Sequence, residues 1–286
     1  MSLQGKSLYV LSPFYGGQLT MNYHQSFTQL VALCRDVGVE IGANNVYNES
    51  LISRARNRLV DSYLKQNTHT HAVFIDADIG FDPKDVLAML EMDLDIAGVP
   101  CSRKSIRWDR IQVAVARRIF QWLQNTGAGK NGTDPAGLLD QFKKSGAAIR
   151  PEDFPKIAGD FVFNFPPFDG NINIQLDKPE IMKHMGTGLL MIKREVFLKF
   201  KKSYPDRWYE ARTDPASNPG PIHDFFKVGV NPETREYDSE DYWFCKNCTD
   251  IGFKVWMCPW VKTTHMGTFV YHGDLPAALE FSGEIF

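Results

Sequence analysis

The most reactive-looking stretch of this chain is His71-Ala72-Val73-Phe74-Ile75-Asp76-Ala77-Asp78-Ile79-Gly80-Phe81-Asp82-Pro83. An apolar run of strand length ends abruptly in two carboxylates, Asp76 and Asp78. A strand buried on both faces tolerates no unpaired acid, so the pair belongs at the carboxyl edge of a parallel sheet, where α/β proteins place their ligands. Strand alternation aims both acids the same way, and Ala77 between them crowds nothing. Two hard oxygen donors facing one point suit Mg²⁺ or Mn²⁺, with water and a phosphate filling the other positions. By itself an Asp-x-Asp is equally a turn or a helix cap. Here a helix start follows it, with Asp82 as N-cap, Pro83 at the first helical position and Asp85 in the first turn.

Other candidates stand further along. Glu240 and Asp241 follow Ser239 at a helix start; capping explains all three residues, and a carboxylate there is equally able to take a proton from a hydroxyl. Gly186 and Gly188 flank Thr187 and leave room for a ligand against the backbone, or simply form a bulge. Arg54 and Arg58 share a helix face at i, i+4, where like charges repel unless an acid or anion lies between them; a diphosphate is one such anion. Residues 103–118 carry Arg103, Lys104, Arg107, Arg110, Arg117 and Arg118 against Asp109 alone, with Trp108 among them. They read as a solvated face or as a seat for an anionic acceptor, nucleic acid included, with Trp108 as a stacking platform. Cys245, Cys248, Cys258 and His265 also come in zinc-like order, but the usual second Cys-x-x-Cys knuckle is absent.

The elements that must position these residues follow from periodicity and punctuation. Strands are expected at 7–12, 39–41, 72–75, 95–99, 189–192 and 254–257, and helices at 23–36, 48–66, 83–92, 135–144 and 240–250, with Asn48 as N-cap of the second. A basic amphipathic helix is built on Ile111, Val115 and Ile119. Segments 161–168 and 172–176 are expected to form a small antiparallel sheet, and 203–237 a long loop. The pattern implies an α/β fold with a mostly parallel central sheet flanked by helices. The chain has 286 residues, net charge −2 and 23% charged residues, which excludes nucleic-acid binding by bulk electrostatics but not by a local patch. Five cysteines, odd in number, suit a reducing compartment; with no leader-like N-terminus and no membrane-length apolar run, a cytoplasmic location is expected.

Taken together, Arg54-x-Arg56-Asn57, Asp76-x-Asp78, Gly186-x-Gly188, Glu240-Asp241 and His265 resemble, in this order, the motifs of the GT-A-fold nucleotide-sugar glycosyltransferases. Phage-encoded members, which are compact and unanchored, are the most similar kind. The resemblance implies a single GT-A (Rossmann-like) domain over 1–286. Its parts are a nucleotide-sugar half (1–104), a helical insertion on the acceptor side (105–175) and an acceptor and catalytic half (176–286). It also implies a Mn²⁺ (or Mg²⁺) ion held by Asp76, Asp78 and His265. The nucleoside-diphosphate sugar, a UDP-sugar favoured, would meet Ser12, Tyr15, Arg54, Arg58, Asp76, Gly186, Gly188 and Lys262, with His272 joining Lys262 at the leaving phosphate. Asp241 is then the base of an inverting transfer, with Glu240 beside it, and Arg107, Trp108 and Arg110 lie on the acceptor side. The implied acceptor is a hydroxymethylated base in DNA or a saccharide. A nucleotidyltransferase or a non-catalytic DNA- or carbohydrate-binding protein are the alternatives.

Overall fold

The computed structural model describes residues 2–66, 68–128, 134–162, 164–166, 174–211, 220–231 and 234–269. His272 and much of the two segments expected to pair at 161–176 lie outside them. In chain order the elements are β1 (Ser7–Phe14), α1 (Met21–Asp36), β2 (Glu40–Tyr47), α2 (Ile52–Gln66), β3 (His71–Ile75), β4 (Ile79–Phe81), α3 (Pro83–Met92), β5 (Ile96–Gly98), α4 (Trp108–Thr126), α5 (Pro135–Lys144) and α6 (Phe154–Ile157). They continue as β6 (Glu180–Met182), β7 (Leu189–Lys193), α7 (Arg194–Ser203), β8 (Trp208–Glu210), β9 (Pro221–His223), β10 (Gly229–Val230), β11 (Tyr237–Asp238), α8 (Glu240–Asp250), β12 (Val255–Met257) and β13 (Thr263–His265). No helix among the described residues is long and apolar enough to cross a membrane.

The central sheet has the order β2-β1-β3-β7-β5-β12-β6. β2, β1, β3, β5 and β12 run one way, and β7 and β6 run against them. This is the α/β, mostly parallel architecture that the strand–helix alternation implies. Strict alternation explains why its middle strands are apolar throughout. Leu8, Val10, Val73, Ile75, Leu189 and Met191 face one core layer, while Tyr9, Leu11, Ala72, Phe74, Leu190 and Ile192 face the other. The first layer is closed by Leu30 and Cys34 of α1 and Val86 and Leu90 of α3. The second is closed by Leu59 and Tyr63 of α2, Phe197 and Phe200 of α7, and Phe244, Cys245 and Cys248 of α8. Each such large apolar side chain contributes roughly 1.5–3 kcal/mol on burial.

Several local expectations change. Helix α2 begins at Ile52, not Asn48, which takes a left-handed φ of 57° outside the helix. Glu49 lies ahead of the helix, its carboxylate accepting from the Leu51 backbone N–H at 3.1 Å. Segments 161–168 and 172–176 show no strand among their described residues, only the isolated bridges Ser102–Phe161 and Asn164–His184. The small antiparallel sheets are β13 with β4, β8 with β9, and β10 with β11. Most of those strands lie in 203–237, the stretch that reads as a loop. Its Pro- and Asp-rich composition hides them, because two- and three-residue strands carry too little alternation to register.

Candidate active site

The chain leaves β3 at Asp76, whose backbone N–H extends the ladder by donating to the Gly188 carbonyl at 3.0 Å. A turn closes from the Ile79 N–H to the Asp76 carbonyl (3.0 Å) and passes straight into β4. Thr20, the N-cap of α1, grips the turn from outside by donating its backbone N–H to the Ala77 carbonyl at 2.9 Å. The strand β13 then pairs antiparallel with β4, setting His265 opposite Ile79, and the Met266 N–H reaches the Asp78 carbonyl at 2.9 Å. Gly80 makes this pairing possible. A Cβ there would stand 2.5 Å from Thr264 Oγ1 and 2.9 Å from Asn22 Cβ, so a side chain would force Thr264 of β13 and Asn22 of α1 to shift.

The result is a carboxylate and an imidazole face to face, with His265 Nε2 3.4 Å from Asp78 Oδ1. His265 Nδ1 lies 2.7 Å from the Ser102 carbonyl, which can only accept, so Nδ1 carries a proton and Nε2 is left for a cation. The Asp78 hydrogen bond raises the His265 pKa above 6.5 against the opposing effect of burial. Burial pulls Asp78 upward, yet His265 and Lys104 together hold it down at about 2. Lys104 Nζ bonds the other Asp78 oxygen, its stem running over Gly267, where a Cβ would be only 3.0 Å from Lys104 Cδ.

Asp76 is turned elsewhere. Both terminal nitrogens of Arg56 donate to its Oδ1 at 3.2 Å, and Arg56 Nε donates to Glu240 at 3.3 Å. Arg56 is 3% exposed, on the inner face of α2 with its guanidinium against the Phe74 ring. Burial raises the Asp76 pKa despite that guanidinium. Among the described residues no three His, Cys, Asp or Glu side chains gather as a metal-holding group, because Asp76 points to Arg56 rather than to His265. The donor set at Asp78 and His265 still fits a hard or borderline divalent cation. Asp78 supplies a carboxylate oxygen and His265 an imidazole nitrogen, the donor types that such a cation takes.

Asp241 sits in the first turn of α8. Ser239 does not cap the helix with its side chain; its hydroxyl donates to Asp241 Oδ1, which also accepts from the Tyr242 N–H at 2.8 Å. The second oxygen, Oδ2, is the nearest atom to the face of Gly186, 3.6 Å from where a Cβ would lie. Burial raises the Asp241 pKa, with Ser239 pulling the other way. One oxygen is thus locked and the other is open to a cavity with raised basicity.

That cavity, about 360 Å³, is bounded by Arg56, Asp76, Gly186, Glu240, Asp241 and His265. Gly188 borders it too, and a Cβ there would collide with Cys101 Sγ at 2.9 Å. Across Arg56 and Asp76 lies a second cavity of about 380 Å³, lined by Pro13, Tyr15, Leu19, Ile52 and Asp78. Tyr15 is 77% exposed in a short turn that needs left-handed Gly16 and Gly17.

Other sequence candidates fall away from this centre. Ser12 is fully buried with its hydroxyl 2.7 Å from Tyr23 Oη. The acid between Arg54 and Arg58 is Glu49, 2.5 Å from Arg54 Nε and 3.5 Å from Arg58. Lys262 lines a separate small cavity with Asn22 and Gly80. Arg107 bonds Asp109 and Asp160, while Trp108 borders a cavity next to His265. Cys245 and Cys248 lie in one core layer and Cys258 in the other. Arg56 and Lys104 have the contacts that the sequence did not assign. Arg56 carried one signal, a charge on the same helical face as Leu59 and Tyr63, which demands a buried partner.

No family model and no curated sequence matches this chain. Solved structures similar to it include A197 from STIV, at TM-score 0.43 and 11% identity, over 92% of this chain and 86% of that one. Another is GalNAc-T7 with UDP, GalNAc and Mn²⁺, at TM-score 0.40 and 9% identity, over 92% of this chain and 43% of that one. A third is a glycosyltransferase involved in the glycosylation of the major capsid of PBCV-1, at TM-score 0.25 and 12% identity, over 55% of this chain and 81% of that one.

Proposed function

We propose that the chain is a glycosyltransferase that moves a sugar from a nucleoside-diphosphate sugar to an acceptor hydroxyl, with inversion. One observation carries this reading: Asp76, Asp241 and His265 converge on one cavity that abuts a second across Arg56. The Tyr15 side suits the nucleoside, through a ring face and adjacent apolar Ile52 and Leu19. The Gly186 side suits the sugar, since the missing side chain there leaves room beside Asp241 Oδ2. Asp78 and His265 would hold a Mn²⁺ or Mg²⁺ ion, which when bound stabilises negative charge on the departing diphosphate. Arg56 bridges Asp76 and Glu240 at the junction of the two cavities. Ser239 and the Tyr242 N–H fix Asp241 so that only Oδ2 faces the reacting hydroxyl, whose proton it takes as the oxygen attacks the anomeric carbon.

The test is nucleotide release from UDP-, GDP- and other nucleotide sugars in the presence of Mn²⁺. Release is expected with at least one donor. In Asp241→Asn, transfer to an acceptor should fall by roughly 10²–10⁴-fold while donor binding persists. Folded protein that releases nucleotide from no donor overturns the reading.

A further inference from the structure

Beyond His265 the molecule has a second working edge. Trp108, Ile111, Phe154 and Phe269 line a cavity of about 470 Å³ that shares Ser102, Arg103 and His265 with the Asp241 cavity. Trp108 and Phe269 meet at 6.3 Å and 55°, and Trp108 remains 58% exposed, so ring surface of Trp108 is left to the cavity. Along the other side of α4 runs a groove of about 980 Å³ against residues 146–157. Val113, Ala114, Ile149 and Ile157 form its floor, and its rim is basic.

The rim charges differ in what they already hold. Arg150 and Lys156 share Asp153 at 3.0 and 2.5 Å. Arg110 donates to the Gly159 carbonyl at 2.6 Å, and Arg107 is paired with Asp109 and Asp160. These two arginines tie the start of α4 to segment 158–160. Arg117 and Arg118, in contrast, have no ion pair or hydrogen bond among the described residues, and both line the groove. Helix α4 itself buries only Trp122 in 19 residues, so its core packing does not explain its length.

We propose that this edge holds a nucleic-acid strand, its phosphodiester chain following Arg117 and Arg118 and one unstacked base entering the Trp108–Phe269 cavity beside His265. An aromatic cavity next to a basic groove matches the two surfaces of a single-stranded nucleic acid, π-faces and phosphates. A lipid surface would call for a convex apolar ridge, whereas both apolar surfaces here are concave. An acidic peptide would use the groove and leave the aromatic cavity without a role. Only the statement that the held base carries the acceptor hydroxyl rests on the transferase reading; the binding does not.

The experiment is fluorescence anisotropy of the full chain with a labelled single strand of about 15 nucleotides over about 50–200 mM salt. Saturable, salt-dependent binding is expected. Arg117→Ala with Arg118→Ala should reduce the log–log salt slope by roughly 1.4, two contacts at about 0.7 each. Trp108→Ala should weaken binding roughly 5- to 150-fold, and an abasic strand should lose most of that difference. No saturable binding, or an unchanged slope in the double variant, overturns the site. Tripolyphosphate competing as well as the oligonucleotide, with Trp108→Ala at wild-type affinity, overturns the base-holding half. Nucleotide release from donor, read on the same samples, separates the two ideas. Its persistence without oligonucleotide binding leaves the transferase standing, and its absence alongside binding does the reverse.

Discussion

At the residue scale the site is a set of carboxylates whose charges are managed individually. Asp78 is held near pKa 2 between His265 and Lys104, Asp76 is matched to Arg56, and Asp241 is raised by burial with one oxygen free. On the reading proposed above, Asp78 would serve as the cation ligand and Asp241 as the base, while Asp76 is the carboxylate paired with Arg56. Arg56 is the shared dependency, since Asp76 and Glu240 both rest on it. Arg56→Met should cost about 1–3 kcal/mol in urea melts, less than a fully buried pair because Asp76 is about a third exposed. Adding Asp76→Asn should recover part of that loss, and strictly additive costs would show that the pair is not coupled. The acids at 76, 78 and 241 stood out in the sequence as acids at a strand end and at a helix start, whereas His265 was singled out for this site through the resemblance alone. Arg56 and Lys104 did not stand out, because a basic side chain reveals its partner only once the partner is in place.

At the element scale, β4 and β13 do the positioning. Each is three residues long, and neither has a local signature, since a short strand is defined by its partner. The helix after Asp82 was readable from its cap and proline, and α5 likewise from Asp134 and Pro135, because capping is settled within four residues. Asn48 was misread because the chain takes a left-handed turn there and the helix starts only at Ile52. The ladder gives a direct test at Gly80. Gly80→Val should force β13 off β4 through Thr264 and Asn22, and titration calorimetry should show Mn²⁺ affinity reduced by about 10- to 100-fold. The central sheet does not include this ladder, so circular dichroism should stay native. Undiminished Mn²⁺ binding would mean that the ladder does not set the ligand geometry.

At the scale of the whole molecule, a sheet covered on both faces leaves few places for a histidine to ionise. His71, His184 and His223 are each pushed by burial from 6.5 down to about 4. Because the unfolded chain takes these protons first, the stability that they represent is complete above about pH 6.5. It is lost as pH falls toward 4, at up to roughly 1.4 kcal/mol per group and pH unit. Asp76 and Asp241, whose pKa values are raised, act in the opposite sense over part of that range. NMR titration isolates the histidines: three imidazoles should remain neutral down to near pH 4.5, and seven ordinary titrations near 6.5 would contradict the packing.

What the order of residues determined by itself was everything carried by neighbours in the chain. The buried strands announced themselves by unbroken apolar runs, the helices by caps and stripes, and the acids by sitting where those runs stop. What only the tertiary structure decided was which distant groups share a charge. Asp78 faces His265 because β13 returns to β4, Glu49 takes Arg54 and Arg58, and Arg56 reaches Glu240 from another helix. Short-range hydrogen bonds and periodicity act within a few residues and are therefore written locally. Electrostatic pairing acts through space, and it exists only after the apolar layers have closed and brought those elements together.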